Sequence, residues 1–286
     1  MMSTRFRHVV IVVCALGLML ASTHSLRAQE TNQSPSTDET ASAPNSSAVQ
    51  SHPWLRLTIN LPAKELRVLE NNQVVARYKV AIGQPRYPSP VLSHDINRII
   101  WNPSWIPPNS PWAAGASVTP PGPNNPLGPV KMPITEGILI HGTNKPNSVG
   151  QAASHGCFRM HSEEAAHLAW YLQERASLKT DPSLWDQYRK FRSRTVWVNL
   201  TQSIPVDVVY HAAEVDGDQL TLYPDVYRKV HNWQYEIRSV LAAHGLNANS
   251  LQDESIQRLV KQLHKGPTSI PLHDLLDNRV ASAAVE

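Results

Sequence analysis

Residues 54–83 read WLRLTINLPAKELRVLENNQVVARYKVAIG, and this stretch decides the fold class. Leu55, Leu57, Ile59 and Leu61 alternate with polar residues, and a period of two places them on one face of a half-buried strand. A second strand is expected over Glu65–Glu70, where Leu66 and Val68 flank Arg67. Asn71-Asn72 then makes a two-residue turn, because asparagine tolerates positive φ. The third strand is expected over Val74–Ile82, closed by Gly83. Three strands in quick succession predict a meandering sheet rather than alternating βα units.

Beyond that sheet the pattern changes. Residues 84–133 are rich in proline and aromatics and lack helical periodicity. WNPSWIPP (Trp101–Pro108) and PPGPNNPLGP (Pro120–Pro129) cannot be helix interior, since proline removes a donor and clashes with the preceding turn. A long loop inside a domain often walls or covers a cleft; structural packing of Trp101 and Trp105 is the alternative reading. Gly137–Ile140 reads as a short buried strand that delivers His141 at its end. Ser162 is expected to cap a helix, with Glu163 and Glu164 at its positive end and Ala165, Leu168, Ala169 and Leu172 on one face. Another helix is expected near Leu184–Phe191, then strands over Thr195–Leu200 and Ile204–Ala213, a turn at Asp216-Gly217, and a mostly helical, polar segment from Asp225. The class is mainly β with helices, α+β.

The N-terminus reads as an export signal. Arg5 and Arg7 precede an apolar run from Val9 to Ala21, with a small-residue cleavage site after Ala28. Residues 29–53 form an expected disordered linker, since 29–50 carry no aromatic residue and no large aliphatic except Val49. The signal holds Arg5, Arg7 and Arg27 and no acid, so its loss takes Lys+Arg from 26 down to equality with the 23 Asp+Glu. A formally neutral mature chain argues against nucleic acid as a partner. No later stretch is apolar for long enough to span a bilayer. Of the 2 cysteines, Cys14 leaves with the signal, so Cys157 is left as a lone thiol in an oxidising compartment, a liability unless it acts.

The chemistry lies in His141-Gly142-Thr143 followed by Ser154-His155-Gly156-Cys157-Phe158-Arg159-Met160. A thiol is a weak nucleophile until it loses its proton, so a catalytic cysteine needs a base within reach. His141, across a loop from Cys157, is placed to be that base. No Asp lies nearby to fix its tautomer, so a backbone carbonyl is the expected orienter. Gly156 admits close approach of a substrate, and the amides around Gly156 and Cys157 are candidates for an oxyanion hole. A buried cysteine is by itself more often a small core residue; the polar, glycine-containing setting and the export signal reverse that here. His155-x-Cys157-x3-His161 is not a tetrahedral zinc spacing, so neither metal nor cofactor is expected.

SHGCFRM after HGT closely resembles the catalytic motif of the L,D-transpeptidase (YkuD) family. LRLTINLPAKELRVLE, WNPSWIPP with GPNNPLGP, and HGTNKPNSVG resemble the family's flanking segments, and the likeness runs over residues 54–213. Two departures are Phe158, where an aliphatic residue is usual, and Tyr87-Pro88-Ser89-Pro90 in place of the family's Thr-Pro-x-Gly. The resemblance implies a β-sandwich catalytic domain over 54–213 with a helical extension over 214–286. It implies Cys157 as nucleophile, His141 as base and the Gly142 carbonyl as its orienter. By the same likeness Arg159 shapes the cleft and meets substrate carboxylates, His155 lends a backbone amide to the oxyanion hole, and Ser154 touches substrate. A carbapenem should acylate Cys157.

The activity so implied is acyl transfer in the periplasm. A peptidoglycan tetrapeptide gives up its terminal D-Ala, and its acyl group passes to an amine of a second stem peptide or of an outer-membrane lipoprotein. Hydrolysis of the same bonds by a carboxypeptidase or endopeptidase is the rival, and a non-catalytic peptidoglycan-binding module is a rival of another class. Trp233, Tyr235, Ile237 and Leu241 in the extension suit packing a helix onto the catalytic domain, or recognition of a partner.

Overall fold

The computed structural model describes residues 54–248 and 251–276. The expected export signal, the expected linker and residues 277–286 lie outside that range. In chain order, β1 (Leu55–Asn60), β2 (Glu65–Glu70) and β3 (Gln73–Lys79) form the meander, joined through Asn71 and Asn72, both at positive φ (50° and 65°). Then come β4 (Ile82–Gly83), β5 (Leu92–Trp101), β6 (Val130–Pro133), β7 (Leu139–His141), β8 (Ala152–Ser154) and β9 (Phe158–Arg159). Helices α1 (Ser162–Ala176) and α2 (Ser183–Lys190) precede β10 (Val196–Val209). The C-terminal part holds β11 (Ala213–Asp216), β12 (Gln219–Leu222), α3 (Trp233–Ala243), α4 (Asp253–Gln262), β13 (Thr268–Pro271) and α5 (Leu272–Leu276). None of the described helices is long and apolar enough to cross a membrane.

The fold is mixed α+β. An eight-stranded sheet, order β3-β2-β1-β10-β5-β6-β7-β9, curls into a half-barrel. Its pairs are antiparallel except β1–β10 and β7–β9. One face is apolar: Leu57, Ile59, Val206, Val198, Val130, Met132, Ile140 and Phe158 are all fully buried. Helix α1 packs on this face across β6, β7 and β10, its Ala165, Leu168, Ala169 and Leu172 buried as its periodicity predicts. The alternation along β6, β7 and β9 therefore sends Lys131, His141 and Arg159 to the opposite face.

Three local expectations are corrected. The third strand stops at Lys79, because Val80, Ala81 and Ile82 are buried in succession and the chain changes partners. Ile82–Gly83 pairs instead with β8, in a small parallel sheet next to the Cys157 loop. The strands expected at 195–200 and 204–213 are one long β10, with a register shift between Asn199 and Ile204. Ser162 lies inside α1 rather than at the cap, which is His161; its Oγ donates to the Thr143 carbonyl and accepts from the Thr143 N–H. That exchange ties the start of α1 to the segment carrying His141.

The residues after Ala212 are not helical alone. β11, β12 and β13 form an antiparallel sheet with the expected turn at Asp216-Gly217, and α3 and α4 cover it. Ile237 and Leu241 bury themselves in this cluster rather than against the large sheet, and Tyr235 is exposed. Charges bind the two parts together. Arg67 on β2 forks onto both carboxylate oxygens of Glu214 (3.0 and 2.6 Å), and Arg77 reaches Asp216. Burial alone would raise the Glu214 carboxyl, but His211 close by and the hydrogen bonds from Arg67 bring it down to about 2.

Gly83 is the tightest point of the small sheet. A Cβ there would lie 2.1 Å from the Tyr87 carbonyl oxygen and 2.6 Å from the Ser89 nitrogen, both backbone atoms. Gly83→Ala is expected to cost about 3 kcal/mol, read as a lower urea midpoint at unchanged m-value.

Candidate active site

β7 pairs in parallel with β9, and the register sets His141 beside Arg159 and, through β6, beside Lys131. Cys157, two residues before Arg159, lies on the same face, diagonal to His141. The structure thus gathers Cys157, His141, Arg159 and Lys131 at one edge of the sheet. Lys131 was missed from the sequence. Its only signal was strand alternation in a four-residue strand, legible once the β6–β7 register is known.

His141 is buried, and its Nδ1 lies 2.5 Å from the Gly142 carbonyl oxygen. A carbonyl only accepts, so Nδ1 carries the proton and Nε2 is left as an acceptor. Gly142 itself is enclosed: a Cβ would meet Pro129 at 2.9 Å and the Ser162 hydroxyl at 3.1 Å. Burial, with Arg159 and Lys131 nearby and against the pull of the Gly142 carbonyl, takes His141 down to about 4. Burial also pushes the Cys157 thiol up; a hydrogen bond from the Leu139 backbone and the charges of Arg159 and Lys131 oppose it. Its Sγ contacts the Gly137 carbonyl oxygen at 3.4 Å. The resting pair is therefore a neutral thiol and a neutral imidazole. Arg159 is half-buried and forms no ion pair among the described residues.

The 154–157 loop is held from inside. Ser154 is buried; its Oγ donates to the Cys157 carbonyl at 2.6 Å and accepts from the Gly156 N–H at 3.0 Å. This corrects two expectations. Ser154 has no free hydroxyl for a substrate, and the Gly156 amide is already spent. Gly156 sits at φ +114°, a conformation that L side chains rarely adopt. Its carbonyl accepts from the Ser89 Oγ (2.8 Å), and the Ser154 carbonyl accepts from the Gln84 N–H (3.0 Å). In a trans peptide the C=O and the next N–H point oppositely. The amides of His155 and Cys157 are thereby aimed away from the 84–89 turn.

The His155 ring is stacked on Trp112 from the proline-rich segment, 4.0 Å between centroids and 6° between planes, and lies tilted against Tyr87 at 5.0 Å. That segment, 102–129, is pinned by buried Asn125, whose Nδ2 donates to the carbonyls of Pro103, Thr119 and Pro120. It borders the Cys157 loop as the wall reading expected, while Trp101 is a core residue bonded to Gln173. Among the described residues there is no cluster of metal-ligating side chains.

Residues 55–199 match the family model of the YkuD L,D-transpeptidase catalytic domain. The chain belongs to that family. YqjB of Bacillus subtilis is 34% identical over 116 residues, covering 38% of this chain and 61% of that protein. YkuD of Bacillus licheniformis is 29% identical over 116 residues, covering 40% and 58%. The chain thus spans about three-fifths of the length of these relatives. An L,D-transpeptidase from Mycobacterium smegmatis of known structure overlays with a TM-score of 0.35 at 15% identity, covering 55% of this chain and 58% of that one. The family match ends ten residues before the end of β10, so β11 onward lies outside it.

The buried imidazole makes stability depend on pH in this family member. An unfolded histidine titrates near its ordinary value of about 6.5, and His141 in the fold titrates at about 4. Between those values the unfolded chain binds the proton preferentially, so stability falls as pH falls, by about 3 kcal/mol once complete. Urea midpoints measured downward from neutral pH should show this, and His141→Gln should remove that share. Glu214, held at about 2, acts in the same direction but in a lower window.

Proposed function

We propose that this chain is an exported cysteine acyltransferase of peptidoglycan, working in the periplasm, with Cys157 as nucleophile and His141 as base. The observation that carries the reading is the placement of Cys157, His141 and Arg159 on one sheet face with the His141 tautomer locked by the Gly142 carbonyl. Since both reacting groups rest neutral, the thiol proton passes to His141 Nε2 as Sγ attacks the carbonyl that joins the diamino-acid L-centre to the terminal D-Ala. The oxyanion so formed is met by the amides of Cys157 and His155. Collapse breaks the C–N bond, His141 returns the proton to the departing D-Ala nitrogen, and a thioester remains on Cys157. An acceptor amine then attacks the thioester, yields its proton through His141 to the leaving sulfur, and forms the cross-link.

Arg159 and Lys131 have roles that follow from charge. Neither has a carboxylate partner among the described residues, and both face the cleft side of the sheet. A guanidinium offers a planar fork to a carboxylate, so Arg159 is assigned to a carboxylate of the stem peptide. Lys131 stabilises the thiolate character that develops on Cys157 during attack. Ser154, with both hydrogen bonds internal, is assigned to holding the loop.

The test is direct. The purified chain is incubated with a disaccharide-tetrapeptide and the products are weighed by mass spectrometry. Cross-linked dimers with released D-Ala are the expected products. Tripeptide without dimers would make the chain a hydrolase, and unchanged substrate with muropeptide still bound would make it a binding module.

A further inference from the structure

Outside the family match, one side chain reaches the back of the catalytic loop. Tyr227 lies in the turn after β12, and its hydroxyl donates to the Gly83 carbonyl at 2.6 Å while accepting from the Ser89 N–H at 3.1 Å. It therefore clasps both ends of the 83–89 turn. Within that clasp Ser89 is buried, and its Oγ accepts from the Gly83 N–H (2.9 Å) and donates to the Gly156 carbonyl (2.8 Å). Tyr227 is itself fixed. Its N–H donates to the Tyr210 hydroxyl at 2.9 Å, and that hydroxyl donates to Asp225 Oδ1 at 2.5 Å. Asp225 also accepts from the Lys229 and Val230 N–H groups, closing the turn that carries Tyr227. An unbroken series of hydrogen bonds thus runs from Asp225 through Tyr210, Tyr227 and Ser89 to the peptide that precedes the nucleophile.

We propose that Tyr227 is a positioning residue for acyl transfer: through Ser89 it fixes the Gly156–Cys157 peptide plane, and so the direction of the Cys157 N–H that receives the oxyanion. The inference rests on the acyl-transfer reading above. Because a trans peptide is planar, holding the Gly156 carbonyl toward Ser89 holds the Cys157 N–H opposite to it. Among the described residues the hydrogen bond that holds that plane is the one from Ser89 Oγ to the Gly156 carbonyl, while Ser154 bonds the peptides on either side of it. The extension beyond the family match then has a use at the site: it supplies the outermost clamp of the turn.

A reaction that needs the oxyanion amide must be separated from one that needs only the thiol. Acylation of Cys157 by imipenem passes through a tetrahedral oxyanion, whereas alkylation by iodoacetamide does not. Tyr227→Phe keeps the ring and removes the hydroxyl; it is expected to slow imipenem acylation about tenfold, less than the loss of a whole oxyanion donor. Alkylation should stay within about twofold of wild type, because thiol burial and its cationic neighbours are untouched. Ser89→Ala should show the same split, and the double variant should be no slower than Ser89→Ala alone, since both act through one series of bonds. Tyr227→Phe acylated at the wild-type rate would overturn the proposal, as would equal losses in both reactions or fully additive effects in the double variant. Should Tyr227→Phe fail to fold, Ser89→Ala decides alone, and the absence of a split there is fatal. A wild-type chain that iodoacetamide alkylates at Cys157 but imipenem never acylates would sink the acyl-transfer reading itself, an outcome distinct from a failure of the positioning role.

Discussion

Purified Cys157→Ala will give no thioester adduct and no cross-linked dimer, a loss of acyl transfer of roughly ten-thousand-fold or more. The size follows from the absence of a substitute. Cys157 is the only free cysteine among the described residues, and the oxyanion amides can stabilise a tetrahedral centre only if something attacks. Cys157→Ser will be nearly as inactive, which is the sharper result. His141 titrates at about 4 and is therefore a weak base. It can take a proton from a thiol in the course of attack, but the far less acidic hydroxyl of serine is out of its range. Neither variant should lose much stability, because the Cys157 sulfur makes only weak contacts, to the Gly137 carbonyl at 3.4 Å and to the Leu139 backbone. Intact-mass spectra after incubation with a carbapenem check both variants. An adduct on Cys157→Ala would place the nucleophile elsewhere.

The fold and the site were legible to different depths. The meander over β1–β3 could be read because β1 and β2 each bury one face and β3 half-buries Ala76 and Tyr78, so polar and apolar residues alternate. The reading failed at Val80–Ile82, where the chain is buried on all sides and alternation disappears. β10 was read as two strands because polar residues fill its middle, at the register shift between Asn199 and Ile204. The extension was read as helical because β11, β12 and β13 have four residues each and the third comes from near the chain's end. In the site, the contact between His141 Nδ1 and the Gly142 carbonyl could be anticipated, since no acidic partner adjoins His141 in sequence. Lys131, Ser89 and Tyr227 were not visible. Their importance lies in cross-strand register and in bonds between residues 67 and 144 positions apart, which no local pattern records. The same holds for the two corrections in the loop: sequence places Ser154 and Gly156 beside the nucleophile, but only the geometry shows that the hydroxyl of one consumes the amide of the other.

His141→Gln will lower the second-order rate of carbapenem acylation by about a thousandfold at neutral pH, within the range that general-base catalysis supplies. Glutamine keeps a donor for the Gly142 carbonyl but cannot accept and return a proton. The pH dependence distinguishes a lost base from a lost support. In wild type, activity should disappear as pH falls through about 4, where the imidazole protonates and Nε2 no longer accepts. Above that the profile should be flat through neutrality, because the thiol stays protonated until His141 takes its proton. An ion pair of thiolate and imidazolium predicts instead a second, alkaline limb where the imidazolium deprotonates, together with the ultraviolet absorbance of a thiolate at neutral pH. In His141→Gln the only route to a nucleophile is ionisation by the solvent. Burial holds the Cys157 thiol above its ordinary value, so the variant's rate should climb with pH, about tenfold per unit while the thiolate remains a minor form. The two profiles should therefore converge toward high pH. If the variant instead runs parallel to wild type with the same acid limb, His141 supports the strand without moving the proton. The base would then have to be sought elsewhere, since Lys131 and Arg159, whose charges act on Cys157, are cations that can only donate.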